Sequence, residues 1–131
     1  MDEKKVLKNN ILIVEDEHDI REIYAEVLST AGYKVSQAAD GEIGFQKIRD
    51  EHWDLLLLDI MLPGRDGLKI LKQMKENADL KKGPVVALTN LNSENIIQEA
   101  FGQGADGYLI KSEITPDKIV DEVGKILGEE E

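Results

Sequence analysis

Leu55-Leu56-Leu57-Leu58-Asp59-Ile60-Met61-Leu62-Pro63-Gly64-Arg65-Asp66-Gly67 is the stretch on which the fold turns. Four consecutive leucines leave no polar face, which is the pattern of a strand buried on both sides of a parallel sheet. The Pro63-Gly64 and Asp66-Gly67 pairs break that strand and leave Asp59 at its C-terminal end. Open parallel sheets build their sites at those ends. A second apolar run, Ile11-Leu12-Ile13-Val14, stops in the same way at Glu15-Asp16. Three carboxylates at the ends of two buried strands are costly unless a cation joins them, and a hard divalent metal suits oxygen ligands.

Outward from these runs, apolar strand-like segments alternate with amphipathic helical ones five times, with no repeat and no low-complexity linker. Such alternation predicts an α/β fold, a parallel sheet covered by helices on both faces. Strands are expected at 11–15, 34–38, 54–59, 84–89 and 106–110. The first helix carries Ile20, Ile23, Tyr24, Val27 and Leu28 at helical spacing and stops at Gly32. Asp40 caps a second helix with Phe45 and Ile48, and Asp66-Gly67 leads into a third with Ile70, Leu71 and Met74. Asn92-Ser93 opens a fourth with Ile96, Ile97 and Phe101, and Thr115-Pro116 a fifth with Ile119, Val120, Val123, Ile126 and Leu127. Right-handed crossovers limit how five such units wind. The order 2-1-3-4-5, adopted by analogy with known flavodoxin-like (βα)5 sheets, sets strands 1 and 3 side by side and converges Glu15, Asp16 and Asp59 on one crevice.

The 131 residues suit a single domain, 1–131, with a core from about residue 9 to 128 and short charged tails. No apolar stretch is long enough to span a bilayer, and the charged start, Met1 to Asn10, does not resemble a signal peptide, so a cytoplasmic protein is expected. Without cysteine, disulfides and thiolate metal sites are excluded, and the two scattered histidines, His18 and His52, disfavour a zinc site. A formal net charge of -11 argues against direct contact with nucleic acid or an anionic membrane and for protein partners.

Two more polar residues stand where buried strands run out: Thr89 after Pro84-Val85-Val86-Ala87-Leu88, and Lys111 after Gly107-Tyr108-Leu109-Ile110. Over nearly its whole length the chain now resembles the receiver domains of two-component response regulators. The matching stretches are Ile11 to Glu17, Asp59 to Gly67, Leu88-Thr89, and Gly104 to Lys111. Each alone is weak, but together, in order and at strand ends, they are specific.

The resemblance implies that Asp59 is the phosphoacceptor, its carboxylate attacking the phosphorus of a phosphohistidine on a sensor histidine kinase or a histidine phosphotransfer protein. It implies that Glu15, Asp16, Asp59 and the backbone carbonyl of Met61 hold Mg2+. Lys111 then neutralises phosphoryl oxygens and Thr89 donates a hydrogen bond to one of them. Thr89 and Tyr108 form the family's switch, and the surface of the fourth helix, fifth strand and fifth helix is read by a downstream target protein. On this reading the chain is not an enzyme beyond its own phosphotransfer and dephosphorylation.

Three positions depart from the family's usual pattern. Asn90 follows the hydroxyl where a small residue is usual, and Glu15 replaces a more frequent aspartate, its longer arm reaching a metal through water. Ser112 follows Lys111 where a cis proline is usual; a cis bond before a non-proline costs about 2.5–4 kcal/mol, so either the chain is strained there or the peptide is trans and presents Lys111 differently.

Bland readings stand beside these. Asp59 alone is as readily a turn cap, Asp66 is better read as a turn residue before the third helix, and Glu17 and Asp19 as decoration of the first helix's positive end. His18 and His52 fit the surface, Trp53 covers the bottom of the core, and Tyr108 without the resemblance is half-buried packing. An aspartate-nucleophile phosphatase often carries a second aspartate two residues on, where this chain has Met61. A flavodoxin-type cofactor binder needs a hydroxyl- and glycine-rich loop where this chain has Glu15, Asp16, Glu17 and Asp19. The remaining alternative is a receiver-like protein-binding module that works without phosphorylation.

Overall fold

The computed structural model describes residues 9–90 and 94–128. Five parallel strands, β1 (Asn10–Val14), β2 (Lys34–Ala38), β3 (Leu55–Asp59), β4 (Val85–Thr89) and β5 (Gly107–Ile110), lie in the order β2-β1-β3-β4-β5. Five α-helices separate or follow them: α1 (His18–Thr30), α2 (Gly41–Asp50), α3 (Gly67–Glu76), α4 (Glu94–Gly102) and α5 (Pro116–Leu127). The expected fold class, order and helix sequence are therefore present, with most expected strands one residue longer or shifted by one.

The leucine run behaves as its composition demands. Leu55 to Leu58 are each 0% exposed. Successive side chains leave opposite faces of a strand, so Leu56 and Leu58 pack with Leu12, Val14, Ile48, Ile70 and Met74 beneath α2, α3 and α4. Leu55 and Leu57 pack with Ile11, Tyr24, Leu28, Ile119 and Val123 beneath α1 and α5. One strand thus joins two cores.

Helix boundaries follow local chemistry. Asp40 accepts from the Ile43 amide and opens α2, Asp66 accepts from Lys69 and opens α3, and Thr115 accepts from Lys118 ahead of Pro116 in α5. Gly32, with φ 105°, ends α1 in a conformation that side chains resist. Ile23 departs from the expected apolar stripe at 44% exposure, while Tyr24, Ala25 and Leu28 form the buried line of α1. The expected opening of α4 at Asn92-Ser93 lies outside the described residues.

The register sets the site. Val14 pairs with Leu58, Asp59 with Leu88, and Thr89 with Ile110. β1, β3, β4 and β5 therefore end side by side, which sets Glu15, Asp59, Thr89 and Lys111 at or just past adjacent strand ends.

Candidate functional site

Glu15, the residue after β1, keeps one sheet hydrogen bond, from its amide to the Ala38 carbonyl at 3.0 Å, and then the chain turns away. Its carboxylate stays inside at 0% exposure. Oε2 accepts from the Glu17 amide at 2.9 Å and Oε1 from Lys111 at 2.9 Å. Arg21 on α1 donates from Nη1 to the Glu15 carbonyl at 2.9 Å and from Nε to Gln37 at 3.1 Å, tying the loop after β1 to α1 and β2.

Asp59, 1% exposed, accepts from the Met61 amide on Oδ1 at 3.0 Å and from Lys111 on Oδ2 at 3.2 Å. Burial, and after it the Glu15 charge, raises its pKa from 3.8 to about 7, against the pull of Lys111 and the Met61 amide. Burial pulls the Lys111 ammonium down, but its bonds and charges with Glu15 and Asp59 outweigh that and hold it above its ordinary value. Tyr24, buried beside them, is raised by burial and then by Glu15.

Carboxylate oxygens of Glu15, Asp16 and Asp59 lie within 4.8 Å of one another, with Asp16 exposed at the rim. The Lys111 ammonium meets three carboxylates, Glu15, Glu17 and Asp59. Such an excess of buried and half-buried negative charge around one ammonium suits a further hard cation, and the all-oxygen donor set fits a divalent ion. A shallow depression beside it is lined by Asp16, Ile60, Met61, Leu62, Pro63 and Asp66.

The other sequence candidates fall as follows. Thr89 is 0% exposed at the end of β4, in the same row of strand ends. Tyr108, opposite Ala87 in β5, is 38% exposed and meets the Phe101 ring edge-on at 5.8 Å, away from Asp59's hydrogen-bond network. Asn90 is exposed at the rim, and Leu91 lies outside the described residues. Among the described residues no peptide is cis, so Lys111–Ser112 is trans, and the chain takes a 3-10 turn over Lys111–Glu113 from which Lys111 still reaches Asp59. Asp66 serves as the α3 cap, and His18 and His52 sit at 71% side-chain exposure, as their bland readings require.

Two contributors were not singled out by sequence reasoning. Glu17, assigned to the helix end, makes no side-chain cap and turns to Lys111 at 3.2 Å. Arg21 had no sequence signal, because its two acceptors, the Glu15 carbonyl and the Gln37 amide oxygen, are uncharged groups that no spacing pairs with an arginine.

Residues 11–124 match the family described as response regulator receiver domain. The chain is a member of that family. The Bacillus subtilis transcriptional regulatory protein ResD is 32% identical over 120 residues, covering 92% of this chain and 48% of ResD. Streptomyces coelicolor AfsQ1, also a transcriptional regulatory protein, is 33% identical over 102 residues, covering 78% of this chain and 44% of that protein. This receiver domain thus spans about half the length of the curated relatives it matches. Among solved structures, a CheY-like receiver domain protein from Methanospirillum hungatei is 30% identical with TM-score 0.83, covering 95% of this chain and 96% of that one. A two-component response regulator from Clostridium difficile is 27% identical with TM-score 0.84, covering 92% and 97%. Among the described residues of the receiver, no helix is long and apolar enough to cross a membrane.

Proposed function

We propose that this receiver domain accepts a phosphoryl group on Asp59 from a phosphohistidine of a sensor histidine kinase or histidine phosphotransfer protein. An Asp59 carboxylate oxygen forms the new bond to phosphorus. The bond from phosphorus to the donor imidazole nitrogen breaks, and the imidazole leaves with the electron pair and takes up a proton from water. Mg2+ bound by Asp16, Asp59 and the Met61 carbonyl, with Glu15 acting through water, would offset the negative charge that otherwise repels the donor. Lys111 stands ready to pair with phosphoryl oxygens, and Thr89 to donate to one of them.

The observation that carries this reading is the convergence of Glu15, Asp16, Asp59 and Lys111, from three separate strand ends, in one partly closed cluster. The new phosphoryl charge would draw in Thr89 and release Tyr108 from its outward place on Phe101, changing the α4-β5-α5 surface for a downstream partner. The chain transforms no other substrate on this reading, and it acts in the cytoplasm.

The test is intact mass after incubation with Mg2+ and a small acyl-phosphate donor. One phosphoryl group should appear, and it should vanish in Asp59→Asn and without metal. Failure of the wild type with both this donor and a phosphohistidine protein would replace the reading with a phosphorylation-independent binding module.

A further inference from the structure

An ammonium has three protons to donate, and Lys111 has committed all of them. Nζ lies 2.9 Å from Glu15, 3.2 Å from Asp59 and 3.2 Å from Glu17. A phosphoryl oxygen at Asp59 can gain the ammonium only if one of these bonds is given up. The three differ sharply in what release costs. Glu15 is fully enclosed, with 0% of its side chain exposed, and a buried carboxylate stripped of its cation is heavily penalised. Asp59 carries the incoming group and keeps it beside Lys111. Glu17 is 47% exposed and can exchange the lysine for water.

The rest of Glu17's surroundings point the same way. It occupies the position before α1 that a capping side chain normally fills, yet makes no cap bond. Its backbone is fixed independently: the amide donates to Glu15 at 2.9 Å and the carbonyl accepts from the Arg21 amide at 3.0 Å. The side chain can therefore leave Lys111 without disturbing the loop that holds Glu15.

We propose that Glu17 is the exchangeable third partner of Lys111, a positioning residue whose release frees the ammonium for the phosphoryl group. This rests on the phosphoacceptor reading of Asp59. In the resting protein Glu17 keeps Lys111 facing the crevice while competing with the anion that must replace it.

Two variants separate the bond from the charge. Glu17→Gln removes both the charge and most of the ion pair. Glu17→Asp keeps the charge but shortens the arm, and an aspartate at this position turns back to cap α1. Asp19→Asn, 97% exposed in the same turn, removes a charge with no contact to Lys111. The full chain is phosphorylated with a small acyl phosphate and Mg2+ over a range of donor concentrations, and the lysine side-chain nitrogen resonance of Lys111 is followed without metal. Glu17→Gln and Glu17→Asp are both expected to phosphorylate faster by roughly two- to fivefold at subsaturating donor, the worth of a half-exposed ion pair. Both should also speed exchange of the Lys111 ammonium protons, while Asp19→Asn matches the wild type. If Glu17→Asp behaves as the wild type while Glu17→Gln is faster, the effect is overall charge and the proposal is overturned. Unchanged rates in both variants, or unchanged proton exchange, overturn it as well. A wild type that takes no phosphoryl group defeats the phosphoacceptor reading separately, because the lysine resonance still reports whether Glu17 holds Lys111.

Discussion

Lys111 Nζ and Glu15 Oε1 stand 2.9 Å apart with 3% and 0% of their side chains exposed, although 96 residues of chain separate them. This pair binds the end of β5 to the end of β1 across two intervening strands. Removing one member of a buried ion pair costs roughly 3–5 kcal/mol, because the other is left uncompensated. Lys111→Met should lose about that much in urea unfolding without metal, since it strands Glu15 and Asp59 together. Glu15→Gln should lose less, because Lys111 retains Asp59 and Glu17. Mg2+ should restore part of the stability of Lys111→Met. A variant as stable as the wild type in metal-free buffer would mean that the crevice is wetter than its burial implies.

Asp59 supplies the pH dependence. Its carboxyl is raised by burial and by Glu15 from 3.8 to about 7 in the folded chain. Between those values the folded chain keeps a proton that the unfolded chain releases. The folded state binds more protons there, so its stability falls as pH rises from about 4 to about 7. Asp59→Asn has nothing to ionise. It should exceed the wild type at pH 8 by on the order of a few kcal/mol without metal, the gap closing below about pH 4. Denaturant midpoints of the two proteins across this range test it, and parallel curves would refute the raised pKa. Added Mg2+ should narrow the gap at pH 8.

Much of this was legible in the sequence, for identifiable reasons. The run Leu55 to Leu58 permits no solvent-facing side, and the helix starts Asp40, Asp66 and Thr115 announce themselves by capping chemistry. The acidic and lysine positions stood at strand ends, so parallel winding brought them together. What stayed hidden depends on side-chain direction. Glu17 is one of several acids in a row, and spacing alone does not say which turns inward to Lys111. Ile23 matched the helical stripe yet lies outside, because the period places a residue within a wide face without telling where that face ends.

Gly67 read from the sequence as a breaker, but the structure gives it a second duty. A methyl group there would overlap the Asp59 carbonyl oxygen and stand 2.7 Å from the Ile60 Cα. Gly67→Ala must push α3 away from the end of β3, at about 1–3 kcal/mol for overpacking. The strain falls on the backbone that sets Asp59 and Met61, so Mg2+ affinity by titration calorimetry should fall too. Gly64→Ala is the comparison: its φ of 75° disfavours a side chain, but nothing lies within 4 Å of the added carbon. It should lose stability and keep Mg2+ affinity. Equal affinity in both variants would show that the close approach at Gly67 does not position the site.

At the opposite end of the strands from the crevice, Lys82 closes the end of α2. Its ammonium donates to the carbonyls of Ile48 at 2.8 Å, Arg49 at 2.9 Å and Glu51 at 2.7 Å. These oxygens have lost their helical partners and sit at the negative end of the helix, where a cation is favoured. The Trp53 indole donates to the same Ile48 carbonyl at 3.1 Å, which makes its fluorescence a local witness. Lys82→Met keeps the apolar stem and deletes the three bonds, and should cost roughly 1–2 kcal/mol. The loss should appear as a lower urea midpoint in Trp53 emission, with phosphoryl uptake at Asp59 unchanged because the crevice lies at the other ends of the strands. A midpoint equal to the wild type would mean that water serves the α2 carbonyls as well as Lys82 does. A fall in phosphoryl uptake would mean instead that the two ends of the sheet's strands are mechanically linked through β3, the strand that begins beside Trp53 and ends at Asp59.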